Sequence, residues 1–231
     1  MTREEFIAAI APAAVKLRLE GSPLFPSVRI AQAILETGGV IPAWNNLVGY
    51  KVGSGVLTPY WKGRSVNKST WEVYDGGETR VRADFRAYDS VEDSFRDQDL
   101  LFDLERYRRV REAKTPGEQI KALLAGGYAT DPDYAKKLDQ LTEQYALTRY
   151  DKEVDDMLEQ LMEQIRLLQE EVRALREQKA MTEIPVWAQE AVQAAAAAGI
   201  LDTTTGGSYD FYRFVTILHR LGLFDAKGQA G

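Results

Sequence analysis

Glu36 closes a mostly apolar stretch, Ala31-Gln-Ala-Ile-Leu-Glu36, and is followed by Thr37-Gly-Gly39. A carboxyl at the end of an apolar helix, against a glycine turn, is partly desolvated, which lifts its pKa towards the range useful to a general acid. The rest of the composition narrows the chemistry to carboxylates. Of 231 residues none is cysteine and a single one, His219, is histidine. Cys/His nucleophilic hydrolysis is therefore excluded, and a zinc amidase would lack ligands. A Ser-His-Asp arrangement would have to recruit His219 from a separate C-terminal segment. No Gly-x-Gly-x-x-Gly or Gly-x-x-x-x-Gly-Lys loop is present to cradle a phosphate,. Carboxylate acid/base work remains, the usual requirement for cleaving a glycosidic bond. No cofactor and no metal is expected.

The net charge of -6 argues against a nucleic-acid partner,. No apolar run reaches membrane-spanning length,. Met1-Thr-Arg-Glu-Glu-Phe6 lacks a basic-then-apolar signal, so the expectation is synthesis in a cytoplasm without a signal peptide and export by another route,.

The elements that must position Glu36 fall in three segments. Residues 1–150 read as one α-rich domain carrying a small β element. Thr2-Arg-Glu-Glu5 is a capping box, with Phe6, Ile10 and Ala14 on one face of the helix that follows,. Pro26-Ser27 opens the helix that ends at Glu36 and Thr37, stopped by Gly38-Gly39,. Trp71-Glu-Val-Tyr74 and Thr79–Phe85, around Asp75-Gly-Gly77, predict a β-hairpin,. Ser90-Val-Glu-Asp93 starts another helix, and Asp131-Pro132 is expected to open the last one of the domain,. Residues 151–182 form a linker. Within 151–178, Val154, Leu158, Leu161, Ile165, Leu168, Val172 and Leu175 are spaced by fours and threes, a heptad seam that predicts a homo-oligomeric coiled coil,. Residues 183–231 are a small module of two helices, one Ala-rich from Pro185 and one over Tyr209–Leu221, with His219 in a structural role.

Four blocks in order, Ser27–Gly38, Trp44–Gly49, Ala83–Ser90 and Gly127–Ala135, resemble the bacterial endo-β-N-acetylglucosaminidase family (glycoside hydrolase family 73) of flagellar and autolysin peptidoglycan hydrolases. The resemblance covers about residues 5–150. It implies an α+β fold, a lysozyme-like helical lobe plus a small β-lobe with a cleft between them. It also implies bacterial peptidoglycan as substrate, cut after N-acetylglucosamine at the cell wall. The last segment is similar to a surface-layer-homology repeat of the type found in phage and prophage lysins. Its usual Thr-Arg-Ala-Glu motif is replaced by Asp210-Phe-Tyr-Arg213. Release by a phage lysis machinery, or carriage on a virion, is the matching route to the wall.

Residue by residue, the resemblance makes Glu36 the general acid. Glu72 becomes the second carboxylate, with Asp75 and Glu78 on the same hairpin. Tyr128 and Tyr134 match the family's cleft tyrosines, Tyr128 being assigned to catalysis. Trp44, Asn45, Asn46 and Tyr50 are expected along the cleft floor, and Trp71 beside the hairpin as a sugar-stacking aromatic. The family often has Trp-Gly where this chain has Gly38-Gly39, a loss for which Trp44 would compensate. Two other functions fit less well: a lytic transglycosylase, which needs one acid, and a non-catalytic wall-binding or virion protein.

Overall fold

Thr2 begins the first helix, α1 (Arg3–Leu19), through a closed capping box: Glu5 N donates to Thr2 Oγ1 at 3.1 Å, and Thr2 N to Glu5 Oε2 at 2.8 Å,. The computed structural model describes residues 1–74 and 77–224, the side chains of 70–81 and 177–179 excepted. The chain divides into two units, Met1–Glu159 and Gln160–Gly231.

In the first unit α2 (Pro26–Thr37) is the central element, packed on α1, α5 (Pro116–Ala125) and α6 (Tyr134–Gln144). Every residue from Pro26 to Ile34 is buried. A helix stretch covered on all sides has to be largely apolar, and the charge buried within it, Arg29, is partnered through both terminal nitrogens of its guanidinium, though not through Nε among the described residues. Arg29 is 0% exposed. It pairs with Asp99, donates to Ser22 Oγ at 2.6 Å, Phe95 O at 3.0 Å and Gln98 Oε1 at 3.1 Å. Without such partners a buried guanidinium would be strongly destabilising.

The start of α2 is held from far away in sequence. Phe25 at its N-cap offers no side-chain acceptor. Instead Asp151 Oδ1, in the first turn of α7 (Thr148–Lys179), accepts the Ser27 N–H at 2.8 Å. An anion at a helix N-terminus satisfies an orphan donor and complements the helix dipole. Burial raises the Asp151 pKa, and the Ser27 hydrogen bond opposes the shift.

Strands β1 (Ser65–Tyr74) and β2 (Gly77–Arg86) pair antiparallel from Ser65↔Arg86 to Tyr74↔Gly77. The hairpin starts six residues before the predicted Trp71, because the segment 65–70 pairs as well. Its base is tied to α3 (Val91–Phe102) through Asp97, 1% exposed. That carboxylate accepts from Arg86 Nη1 and Tyr88 Oη, each at 2.7 Å, and from Thr58 Oγ1 at 2.6 Å. The Arg86 guanidinium lies over the rings of Tyr50 at 4.8 Å and Trp61 at 4.4 Å. A short helix, α4 (Arg108–Glu112), follows α3. The result is a helical lobe with a small β-lobe.

Two boundaries move from the sequence reading. Helix α6 starts at Tyr134 with Asp133 as its N-cap. Asp131 closes a turn before it, accepting Asp133 N on Oδ1 at 2.9 Å and Tyr134 N on its carbonyl at 3.1 Å. Pro132 therefore lies ahead of the helix and does not open it. Helix α7 begins at Thr148, and Val154, 3% exposed, is buried in the first unit. Val154 is thus not free for the heptad seam, which starts at Leu158.

From Leu158 to Leu175 the six remaining seam residues are 41–59% exposed. The second unit continues with α8 (Gln189–Ala197) and α9 (Tyr209–Arg220), which bury Ala191, Val192, Ala195, Tyr212 and Val215 between them. Among the described residues no helix is long and apolar enough to cross a membrane.

Candidate functional site

Helix α2 ends abruptly, and the ending presents Glu36. Thr37 Oγ1 donates back to Ala33 O at 2.6 Å and accepts Gly39 N at 3.2 Å. Gly38 and Gly39 then turn the chain at φ 67° and 79°, a region that residues with a Cβ avoid. Glu36 opens onto a cleft of about 580 Å³, whose other walls include Ile41, Trp44, Gly49, Lys68 and Phe85. One flank of Glu36 is exposed to this cleft. Protein packed around its other sides desolvates the carboxyl and pushes its pKa up to about 7,. Among the described residues no hydrogen bond or ion pair holds the Glu36 carboxyl in its charged form. At neutral pH the group is therefore near its midpoint, the condition of an acid that can give up and regain a proton.

Trp44 reaches the cleft, where the Lys68 ammonium lies over its ring at 4.6 Å,. Tyr88 N also donates to the Trp44 carbonyl at 2.9 Å, which fixes its backbone. The two asparagines beside it are occupied elsewhere. Asn45 sits at φ 55° and donates through Nδ2 to Tyr88 O and Asp89 O at 3.2 and 3.1 Å. Asn46, 4% exposed, touches the cleft wall but spends its amide on Tyr50 O at 2.8 Å and Arg86 O at 2.9 Å, while its Oδ1 accepts Tyr50 N at 3.0 Å. Both side chains help to build the loop that joins α2 to the hairpin, Asn46 with both ends of its amide and Asn45 with its Nδ2. Tyr50 is also not on the cleft wall. Its ring packs on the core beneath Arg86.

Tyr128 and Tyr134 are not among the residues that line the cleft, although both lie within electrostatic reach of Glu36. Their rings are 5.9 Å apart. Gln98 Nε2 donates to Tyr128 Oη at 2.8 Å, and Gln32 Nε2 to Tyr134 Oη at 2.9 Å. Burial raises both phenol pKa values, and the Glu36 charge adds to the rise in each. Trp61 is 2% exposed, and its indole N–H donates to Arg64 O at 2.7 Å, so it is lobe core. The side chains of Trp71, Glu72 and Glu78, and Asp75 altogether, lie outside the described residues; the backbone pairs Trp71 with Arg80 and Glu72 with Thr79.

Four residues around the site carry no role in the sequence reading: Gln32, Gln98, Gly49 and Lys68. Gln32 is the one with a local signal, a polar side chain inside an apolar helix one turn before Glu36. Gln98 comes from α3, 66 residues away in sequence from its partner Gln32.

Comparison with known proteins yields matches over the first unit. A family model described as mannosyl-glycoprotein endo-beta-N-acetylglucosaminidase matches residues 12–147. The exo-glucosaminidase LytG of Bacillus subtilis is 37% identical over 139 residues, 56% of this chain and 47% of that protein. The chain therefore spans about half the length of this relative, and about a third of the flagellar peptidoglycan hydrolase FlgJ of Pseudomonas aeruginosa, 36% identical over 151 residues and 61% of this chain. The catalytic domain of the autolysin Auto from Listeria monocytogenes superposes with a TM-score of 0.53 at 34% identity, over 64% of this chain and 86% of that one.

Proposed function

The chain belongs to the endo-beta-N-acetylglucosaminidase family, and from that premise we propose that it hydrolyses bacterial peptidoglycan, cutting the β-1,4 bond after N-acetylglucosamine. The observation that carries this reading is the Glu36 carboxyl, desolvated to a pKa of about 7 at the wall of an open cleft. In the proposed reaction the glycan strand lies along the cleft. Protonated Glu36 donates to the glycosidic oxygen as the bond to the anomeric carbon breaks, and charge builds on the sugar ring. Glu72 is the second carboxylate, stabilising that charge or activating the water that completes hydrolysis. Tyr128 assists Glu36, and Trp44 offers an aromatic face to a sugar ring once Lys68 moves aside.

The seam Leu158–Leu175 is proposed to pair between copies of the chain. Its support is six apolar side chains, each more than two-fifths exposed, at heptad spacing,. The Gln160–Gly231 unit is proposed to contact a wall polymer. There Trp187 and Tyr209, both exposed, pack edge to face with centroids 5.5 Å apart.

Mass analysis of muropeptides released from purified walls tests the main reading. New N-acetylglucosamine reducing ends are expected. Products lighter by one water, with a 1,6-anhydro end, would replace hydrolysis by transglycosylation, a reading favoured by Glu36 being the one carboxylate among the described residues of the cleft wall.

A further inference from the structure

From Arg29 to Tyr128 and Tyr134 runs a chain of polar side chains with one possible polarity. Arg29 can only donate hydrogen bonds. Its Nη1 lies 3.1 Å from one end of the Gln98 amide, so that end must be the carbonyl oxygen. The Gln98 nitrogen consequently faces the other way, 3.1 Å from Gln32 Oε1 and 2.8 Å from Tyr128 Oη. With its oxygen used by Gln98, Gln32 turns its own nitrogen to Tyr134 Oη at 2.9 Å. The assignment of amide oxygen and nitrogen, often ambiguous in glutamines, is fixed here by the guanidinium at the head of the chain.

The consequence falls on the phenols. Each tyrosine oxygen accepts an amide N–H, so neither hydroxyl proton can point back into the network. Among the described residues neither hydroxyl has an acceptor of its own. Arg29 is 0% exposed and anchored by Asp99, Ser22 and Phe95, so the head of the chain cannot rotate away.

We propose that Arg29, Gln98 and Gln32 are positioning residues that hold the Tyr128 and Tyr134 hydroxyls as outward donors, aimed at the carboxylate that forms when Glu36 gives up its proton. The inference rests on the glycosidase reading above. Donors fixed before the reaction stabilise a developing anion without reorganising when it forms. Burial is the main cause of the raised phenol pKa values, and the Glu36 charge adds to both, which puts the two hydroxyls within its electrostatic reach.

Gln98→Glu tests the polarity. The new carboxylate, kept ionised against Arg29, cannot donate, so it draws the Tyr128 proton inward. The expected result is a fall in kcat of about tenfold or more on solubilised glycan strands, with KM changed less than about twofold. In a Tyr128→Phe background the same substitution should cost less than about twofold, since it acts through a hydroxyl no longer present. Gln98→Met, which removes both N–H bonds without adding charge, is the second arm. It should give a smaller loss that also vanishes in the Tyr128→Phe background, and it serves alone if Gln98→Glu does not fold. Active wild type with equal activity in both folded variants, or full additivity with Tyr128→Phe, overturns the wiring. A wild type that leaves glycan uncut overturns the glycosidase reading instead.

Discussion

A Cβ on Gly49 would stand 3.1 Å from Glu36 Oε2, and Gly49 itself sits at φ 66°. The acid and the glycine are therefore fitted to each other: the missing side chain is the space the carboxyl uses. Gly49→Ala should cost about 1–2 kcal/mol from the left-handed backbone alone, and the added methyl should displace the carboxyl. A lower denaturation midpoint together with a lower kcat is the expected pair of results. Full activity in the folded variant would mean that the carboxyl works from another position.

Glu36→Gln keeps shape and removes the transferable proton. Muropeptide release should fall by roughly a hundredfold to ten-thousandfold, the usual contribution of a general acid, with circular dichroism unchanged. Glu72→Gln should be impaired but less so. A Glu72 variant as active as wild type would shift the second role to Asp75 or Glu78.

The pH dependence has a fixed sign. Glu36 acts while protonated, so kcat/KM should decline as pH rises through about 7,. Its pKa is raised above the ordinary 4.5. Between those values the folded state binds more proton than the unfolded one, and stability falls as pH rises. The contribution is complete below 4.5 and lost above about 7. Glu36→Gln should therefore flatten the melting temperature across that window and be the more stable protein at pH 8. An unchanged slope in the variant would assign the pH dependence to other groups.

Ile165 and Leu168 are 46% and 59% exposed in the single chain. Burying each across copies is worth roughly 1.5–3 kcal/mol. The double change Ile165→Asp, Leu168→Asp should yield a monomer by light scattering that still cuts soluble glycan but works poorly on whole walls, having lost avidity. A monomeric wild type at tens of micromolar, a working concentration at which weak self-association would register, would leave α7 a spacer.

Elements written in local sequence were legible. Thr2 and Ser90 announce their helices by side chains that accept from residues three positions on, and Gly38 marks the end of α2. Glu36 was legible for the same reason, being an acid at a helix end beside glycine. Asn45 and Asn46 show what spelling leaves out: both amides hydrogen-bond within the loop, and Asn46 also lines the cleft wall. Nothing local announces Gln98 behind Tyr128, or Asp151 at Ser27, 124 residues apart. Val154 fits the heptad by spacing, yet the first unit buries it, since the same apolar residue satisfies either surface.

The Asp151–Ser27 bond bears on how such chains can be recombined. A chimera that joins this N-terminal part to a new partner just after α6 would leave the helix of Glu36 with no anion at its start and an unsatisfied buried N–H. Any crossover that preserves the acid's geometry has to fall beyond Val154, inside a helix, so whatever is grafted there must begin as helix too.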